Sequence, residues 1–135
     1  MILLGDKEYY KGIGKIKYEG KNSDNPLAFK YYNPTQVVAG KTMNEHFKFA
    51  VAYWHTFCGV GADPFGPGTQ NFPWDQSNDP IQAAKDKADA AFEFITKMNI
   101  PFYCFHDTDV VGDGSVFDIE KRLATMVEYA KAKQE

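Results

Sequence analysis

His106 and Asp109 stand three residues apart at the end of the apolar run Ile100-Pro-Phe-Tyr-Cys-Phe105. If that run is a strand, an acid just past its end accepts a hydrogen bond from one imidazole nitrogen, which fixes the tautomer and leaves the other nitrogen for a ligand hydroxyl. The chemistry open to such a pair is proton transfer at a bound oxygen. The same spacing also suits a strand-end histidine whose neighbouring acids cap a loop, and spacing alone does not separate the two. Trp54, within Phe49-Ala-Val-Ala-Tyr-Trp-His-Thr-Phe57, would share a strand face with Ala50, Ala52 and Thr56. Small residues beneath one large ring suit a flat apolar wall, and they suit core packing equally. Phe65, in Asp63-Pro-Phe-Gly66, lies on a turn that pushes its ring outward, onto its own loop or into a partner's pocket. Asp107, Asp109 and Asp113, with one histidine and no glutamate nearby, make an incomplete ligand set for a cation. His46 reads as a solvated helix residue and His55 as packing or hydrogen-bonding toward a helix layer.

The elements that must position these groups alternate. Residues 1–40 show poor periodicity and many aromatic residues, and read as an extended arm docked over a larger body, residues 41–135. Thr42-Met-Asn-Glu45 has the form of a capping box at a helix start. The run 49–57 fits a helical stripe as well as a strand, and its continuous, β-branched and aromatic character favours strand. Residues 58–78, rich in Gly and Pro, form a loop long enough to be functional or partner-bound. Asp79-Pro80-Ile81-Gln82 places an N-cap, a first-turn proline and a capping-box glutamine in order, and Ile81, Ala84, Ala88, Phe92 and Ile95 define an amphipathic helix to about Met98, ended by Asn99. Residues 100–105 then read as a strand buried on both faces, in which Phe102 and Cys104 share the face of His106 while Tyr103 and Phe105 point at helices. After the Gly112-Asp-Gly114 turn, Ser115 caps a last helix with the face Ile119, Leu123, Met126 and Ala130. Strand, helix, strand, helix implies parallel pairing in an α/β layer fold, where ligands gather at the carboxyl ends of strands.

Composition bounds the function. The chain has 135 residues and a formal charge of −3, which speaks against a nucleic-acid binder. At 44% hydrophobic and 16% aromatic it has ample material for a core. The apolar start Ile2-Leu3-Leu4 is far shorter than the roughly 7–15 residues of a secretory signal. No run approaches the ~20 apolar residues that span a bilayer. A soluble, cytoplasmic protein is expected. Cys58 and Cys104 have no C-x-x-C or metal-type spacing, so both read as buried, reduced thiols, and a redox module is disfavoured.

Tyr31-Tyr-Asn-Pro34, Phe49–Phe57, Asp63–Gly66, Phe72-Pro-Trp74 and Phe102–Asp109 together resemble the N-terminal portion of the xylose isomerase family, in its longer class with an extra N-terminal arm. The resemblance runs from about Tyr10 to the C-terminus. It implies a partial (β/α)₈ TIM barrel, the first βα units plus the arm, because a full barrel needs about 250 residues. It implies interconversion of aldoses and ketoses, D-xylose with D-xylulose and D-glucose with D-fructose, by a metal-assisted hydride shift. His106 then matches the histidine that binds the sugar near its ring oxygen and assists ring opening, and Asp109 the acid that orients it. Trp54 matches the tryptophan of the substrate pocket, and Phe65 the phenylalanine that reaches into a neighbouring subunit's active site. Two divalent cations (Mg²⁺, Mn²⁺ or Co²⁺) serve the complete enzyme, and their ligands are expected on later strands, so that this chain alone holds neither and is inactive by itself. The implied partners are an aldose, the remainder of the barrel or other subunits, and further copies in a homo-oligomer, with no nucleic acid and no membrane. The alternative is a catalytically inactive module that self-associates through open strand edges.

Overall fold

The computed structural model describes residues 1–134. Its elements are β1 (Val37–Val38), β2 (Lys41–Thr42), α1 (Met43–His46), β3 (Ala50–Ala52), α2 (Tyr53–Phe57), α3 (Pro80–Met98), β4 (Phe102–Cys104), α4 (Asp107–Val111) and α5 (Val116–Gln134). The fold is mixed α/β. β1 and β2 form an antiparallel hairpin across Ala39 and Gly40, both at positive φ, and β3 pairs in parallel with β4. No closed barrel is present among the described residues. Nor is any helix there long and apolar enough to cross a membrane.

α3 is the spine. The Asp79 carboxylate accepts the Ile81 amide, Pro80 occupies the first turn, and Asn99 closes the helix in the left-handed conformation with its N–H returned to Ile95 and Thr96 carbonyls. Gln82 does not complete a capping box. Its side-chain amide donates instead to Asp86 at 2.9 Å, the nearest acid one turn on. One side of α3 packs Ala90, Ala91 and Ile95 against Val51, Tyr53, Phe57, Phe72 and Trp74. Another packs Ala84 and Ala88 against Val111 of α4 and Met126 of α5. Ser115 caps α5 by accepting the Asp118 amide, and Thr42 and Glu45 form the expected capping box at α1.

The run 49–57 departs from the all-strand reading. Only Ala50–Ala52 are extended, and Tyr53–Phe57 is helical. Helical spacing brings the Tyr53 and Phe57 rings to 5.0 Å, where in a strand they would stand about 13 Å apart. Phe57, fully buried, then meets Trp74 and Phe94. The turn also rotates His55 to the surface, so it does not pack toward a helix layer. His46 is exposed but bonded, its Nε2 2.7 Å from the Val38 carbonyl. β4 is not buried on both faces. Tyr103 and Phe105 do point at the helices, against Phe92 and Tyr53, but Phe102 and Cys104 are exposed because no described residue covers the opposite face. Cys58 is only partly buried. The expectation of two buried thiols therefore fails for Cys104 outright.

The third side of α3 carries Asp86, Asp89, Glu93 and Lys97, all buried. Asp89 is covered by α5, where the Tyr129 hydroxyl donates to it at 2.7 Å and Lys133 pairs with it, whereas Glu93 and Lys97 are covered by the N-terminal segment. Both Glu93 carboxylate oxygens accept backbone amides, from Tyr9 at 2.7 Å and Tyr10 at 2.9 Å. Lys97 donates to Glu93 at 2.6 Å, to the Tyr10 carbonyl at 2.7 Å and to Glu8 at 3.0 Å. The Tyr9 and Tyr10 rings lie edge-on or tilted against Trp74 and Phe94.

Burial alone would raise the Glu93 carboxyl, but the Lys97 ammonium and the two amides outweigh it and hold it below its ordinary 4.5. A carboxyl lowered by folding contributes stability above its unfolded value and loses that contribution as pH falls through the folded one. Amide-exchange protection at Tyr9 and Tyr10 should therefore be full near about pH 6 and disappear on acidification below 4.5. Glu93→Ala, which leaves the buried Lys97 only the more exposed Glu8 as counter-charge, should abolish that protection at every pH and lower the urea-unfolding free energy by about 2–4 kcal/mol.

Candidate active-site face

β3 and β4 pair Ala50 with Phe102, Val51 with Tyr103 and Ala52 with Cys104. The strands run side by side, so Trp54 and His106, each two residues beyond its last paired residue, emerge level. Their ring centroids are 4.7 Å apart with planes inclined by 42°. Trp54 reaches this position from the first turn of α2 and not from a strand face, so the stripe with Ala50, Ala52 and Thr56 is not what places it.

His106 is the N-cap of α4, in extended conformation, and Asp109 is the third residue of that helix. The Asp109 Oδ2 atom accepts the His106 backbone N–H at 2.7 Å and lies 3.0 Å from Nδ1 of the same residue. With Nδ1 donating to this oxygen, the lone pair of the neutral ring lies on Nε2. Nε2 has no hydrogen-bond partner among the described residues. The His106 side chain is 66% exposed while that of Asp109 is 12% exposed: a fixed base presenting an open ring. The arrangement can bind a hydroxyl and take up or return its proton. The sequence pairing of His106 with Asp109 is thus present, joined to Trp54. Phe65 stands apart, 96% exposed on a tight turn where Asp63 Oδ1 accepts the amides of Phe65 at 2.8 Å and Gly66 at 3.1 Å.

Two neighbours were not visible in the residue pattern. Lys87 of α3 lies 3.5 Å from the Asp109 carbonyl oxygen and 3.6 Å from Cys58 Sγ, and Cys58 Sγ is 3.5 Å from that same oxygen. Burial pushes the Cys58 thiol up, only partly offset by the Lys87 ammonium, so the sulfur stays protonated and is no nucleophile. Burial likewise pushes the Tyr53 phenol well up, with Cys58 adding to it. The existence of α4 itself was missed. Acidic residues at its first and third positions followed by Val110-Val111 are the helix-start signal that could have found it. No three His, Cys, Asp or Glu side chains gather into a metal-sized group among the described residues, so the residues present do not fit a cation pair.

No family model matches the chain. Individual curated proteins do. Over 134 residues, 98% of this chain, it is 57% identical to xylose isomerase 2 and 56% identical to xylose isomerase 1 of Xanthomonas campestris pv. campestris (strain 8004). Over the same length it is 54% identical to a xylose isomerase of Xanthomonas oryzae pv. oryzae (strain MAFF 311018). The chain matches the N-terminal portion of longer xylose isomerases. It spans 30% of the length of those relatives.

Asp109→Ala removes the bond that aims the imidazole and, with the bond to the His106 backbone N–H, half of the helix cap. Urea unfolding should show a loss of about 1–2 kcal/mol. An unfolding curve superimposable on the parent's would mean that the carboxylate does not hold α4.

Proposed function

We propose that this chain is the N-terminal, sugar-facing part of an aldose–ketose isomerase that converts D-xylose to D-xylulose and D-glucose to D-fructose. The observation that carries the reading is the Asp109-held imidazole of His106 beside the Trp54 indole at the carboxyl ends of two parallel strands. The likeness to xylose isomerases over nearly the whole chain supports it. β3 and β4 with α3 and α5 are then the first βα units of a (β/α)₈ barrel whose other strands lie outside this chain.

In this reading Nε2 of His106 takes the proton of the anomeric hydroxyl while the bond from C1 to the ring oxygen breaks and C1 becomes a carbonyl. The imidazolium, paired with Asp109, returns that proton to the ring oxygen. Trp54 offers its face to the apolar side of the sugar and keeps water from the reacting carbons. Phe65, held outward by Asp63, fills an edge of the corresponding pocket in a second subunit. The family resemblance implies two divalent cations for the later hydride transfer, and in this reading other residues of the complete enzyme hold them. A second reading, an inactive module that self-associates, draws on the exposure of Phe102, Phe105 and Cys104 beside a two-stranded sheet.

The test is D-xylulose formation by the chain mixed with the remaining two-thirds of a related xylose isomerase, in Mg²⁺ or Mn²⁺. Activity is expected in the mixture, and His106→Asn should lower the rate by about 10²–10⁴-fold. An unchanged rate in that variant would remove the ring-opening assignment, and a mixture without turnover would favour the inactive module.

A further inference from the structure

We propose that Lys87 is a positioning residue for the His106–Asp109 pair, acting on the backbone of Asp109 from outside the sugar-facing surface. The inference rests on the reading of His106 as the group that meets the sugar.

α4 is a single turn whose last internal bond runs from the Gly112 amide to the Thr108 carbonyl. The Asp109 carbonyl is therefore one of the orphan acceptors every helix leaves at its C-terminal end, where the dipole favours a cation. Lys87 supplies it. Its side chain is 15% exposed, its neighbours one turn away along α3 are Ala83, Ala84, Ala90 and Ala91, and its Nζ lies 3.5 Å from that oxygen. The Cys58 thiol approaches the same oxygen at 3.5 Å from the end of α2. Asp75, 3.9 Å from Nζ, balances the charge from the loop after α2. Two segments outside α4 thus meet on one carbonyl.

The consequence lies in which carbonyl it is. Asp109 aims the imidazole with its side chain, while Lys87 fixes the peptide on the other side of the same residue. If that peptide rotates, Oδ2 leaves the 3.0 Å position from which it holds Nδ1. Packing of Val111 against Ala84, Ala88 and Met126 keeps α4 on the body of the protein, but it does not choose the rotation of the turn. Lys87 touches neither ring, so its effect belongs to the orientation of the base and not to sugar contact.

Imidazole ¹⁵N NMR of the intact chain reads this directly. The parent should show His106 with the proton fixed on Nδ1. Lys87→Met should lose that fixed signature, and Lys87→Arg, which keeps a charged donor, should retain it. In the mixed enzyme Lys87→Met should lower kcat by about 10–100-fold with KM unchanged. Should the methionine variant fail to fold, Lys87→Gln takes its place with the same expected loss. An unaltered His106 spectrum in the uncharged variant, or equal damage from arginine, would overturn the proposal. Failure of the sugar reading is distinguishable: His106→Asn would then leave the rate unchanged while the spectral effect of Lys87→Met persisted.

Discussion

The parallel register of β3 and β4 is the constraint on which the rest of the structure depends. With Ala52 opposite Cys104, the two chains leave the sheet level with each other, and the residue two places on is an indole in one and an imidazole in the other. A one-residue slip would put Ala52 and Cys104 out of step, so that the two chains no longer leave the sheet level, and would separate the rings. Three paired residues on each strand are little to hold such a register. α3 does most of that work, because its apolar sides grip Val51 and Tyr53 on one flank and Val111 with Met126 on the other.

α3 in turn is clad on its charged side by the N-terminal segment and α5. Glu93 is fully buried, and its two oxygens meet two successive backbone amides while Lys97 closes the network. Both members of this pair stay charged, since the carboxyl is held low and, although burial opposes it, Glu93 and Glu8 raise the Lys97 ammonium. Buried ion pairs are poor sources of net stability but costly to break, so their contribution here is to fix where the backbone of Tyr9 and Tyr10 runs. The same logic recurs in miniature at Asp109, whose carboxylate serves the His106 amide and ring together.

The sequence was legible where local chemistry decides. Asp79, Pro80 and Asn99 bound α3 as their capping roles require, and Thr42 with Glu45 start α1. Asp63 turns Phe65 outward for the same local reason. It was not legible where tertiary pairing decides. The stretch 49–57 satisfies both periods, and only the fit of Tyr53 and Phe57 with Trp74 and Phe94 selects the helix after Ala52. Cys104 and Phe102 sit in apolar sequence, yet they are exposed because what would cover them is not among the described residues. Asp89, Glu93 and Lys97 look like a solvated helix face until Tyr129 and Lys133 of α5 meet the first and Tyr9 and Tyr10 are laid across the other two. At the candidate site, the contact of His106 with Asp109 follows from their spacing, whereas Trp54 reaches His106 from the first turn of a helix that periodicity alone does not select.

The contact between Trp54 and His106 is the point at which register, fold and chemistry meet, and ring-current shifts measure it. In ¹H–¹³C spectra the imidazole protons of His106 should lie upfield of those of His46, and Trp54→Leu should return them toward that position. His106 resonances that coincide with those of His46 in the parent, or that do not move in the variant, would contradict the account.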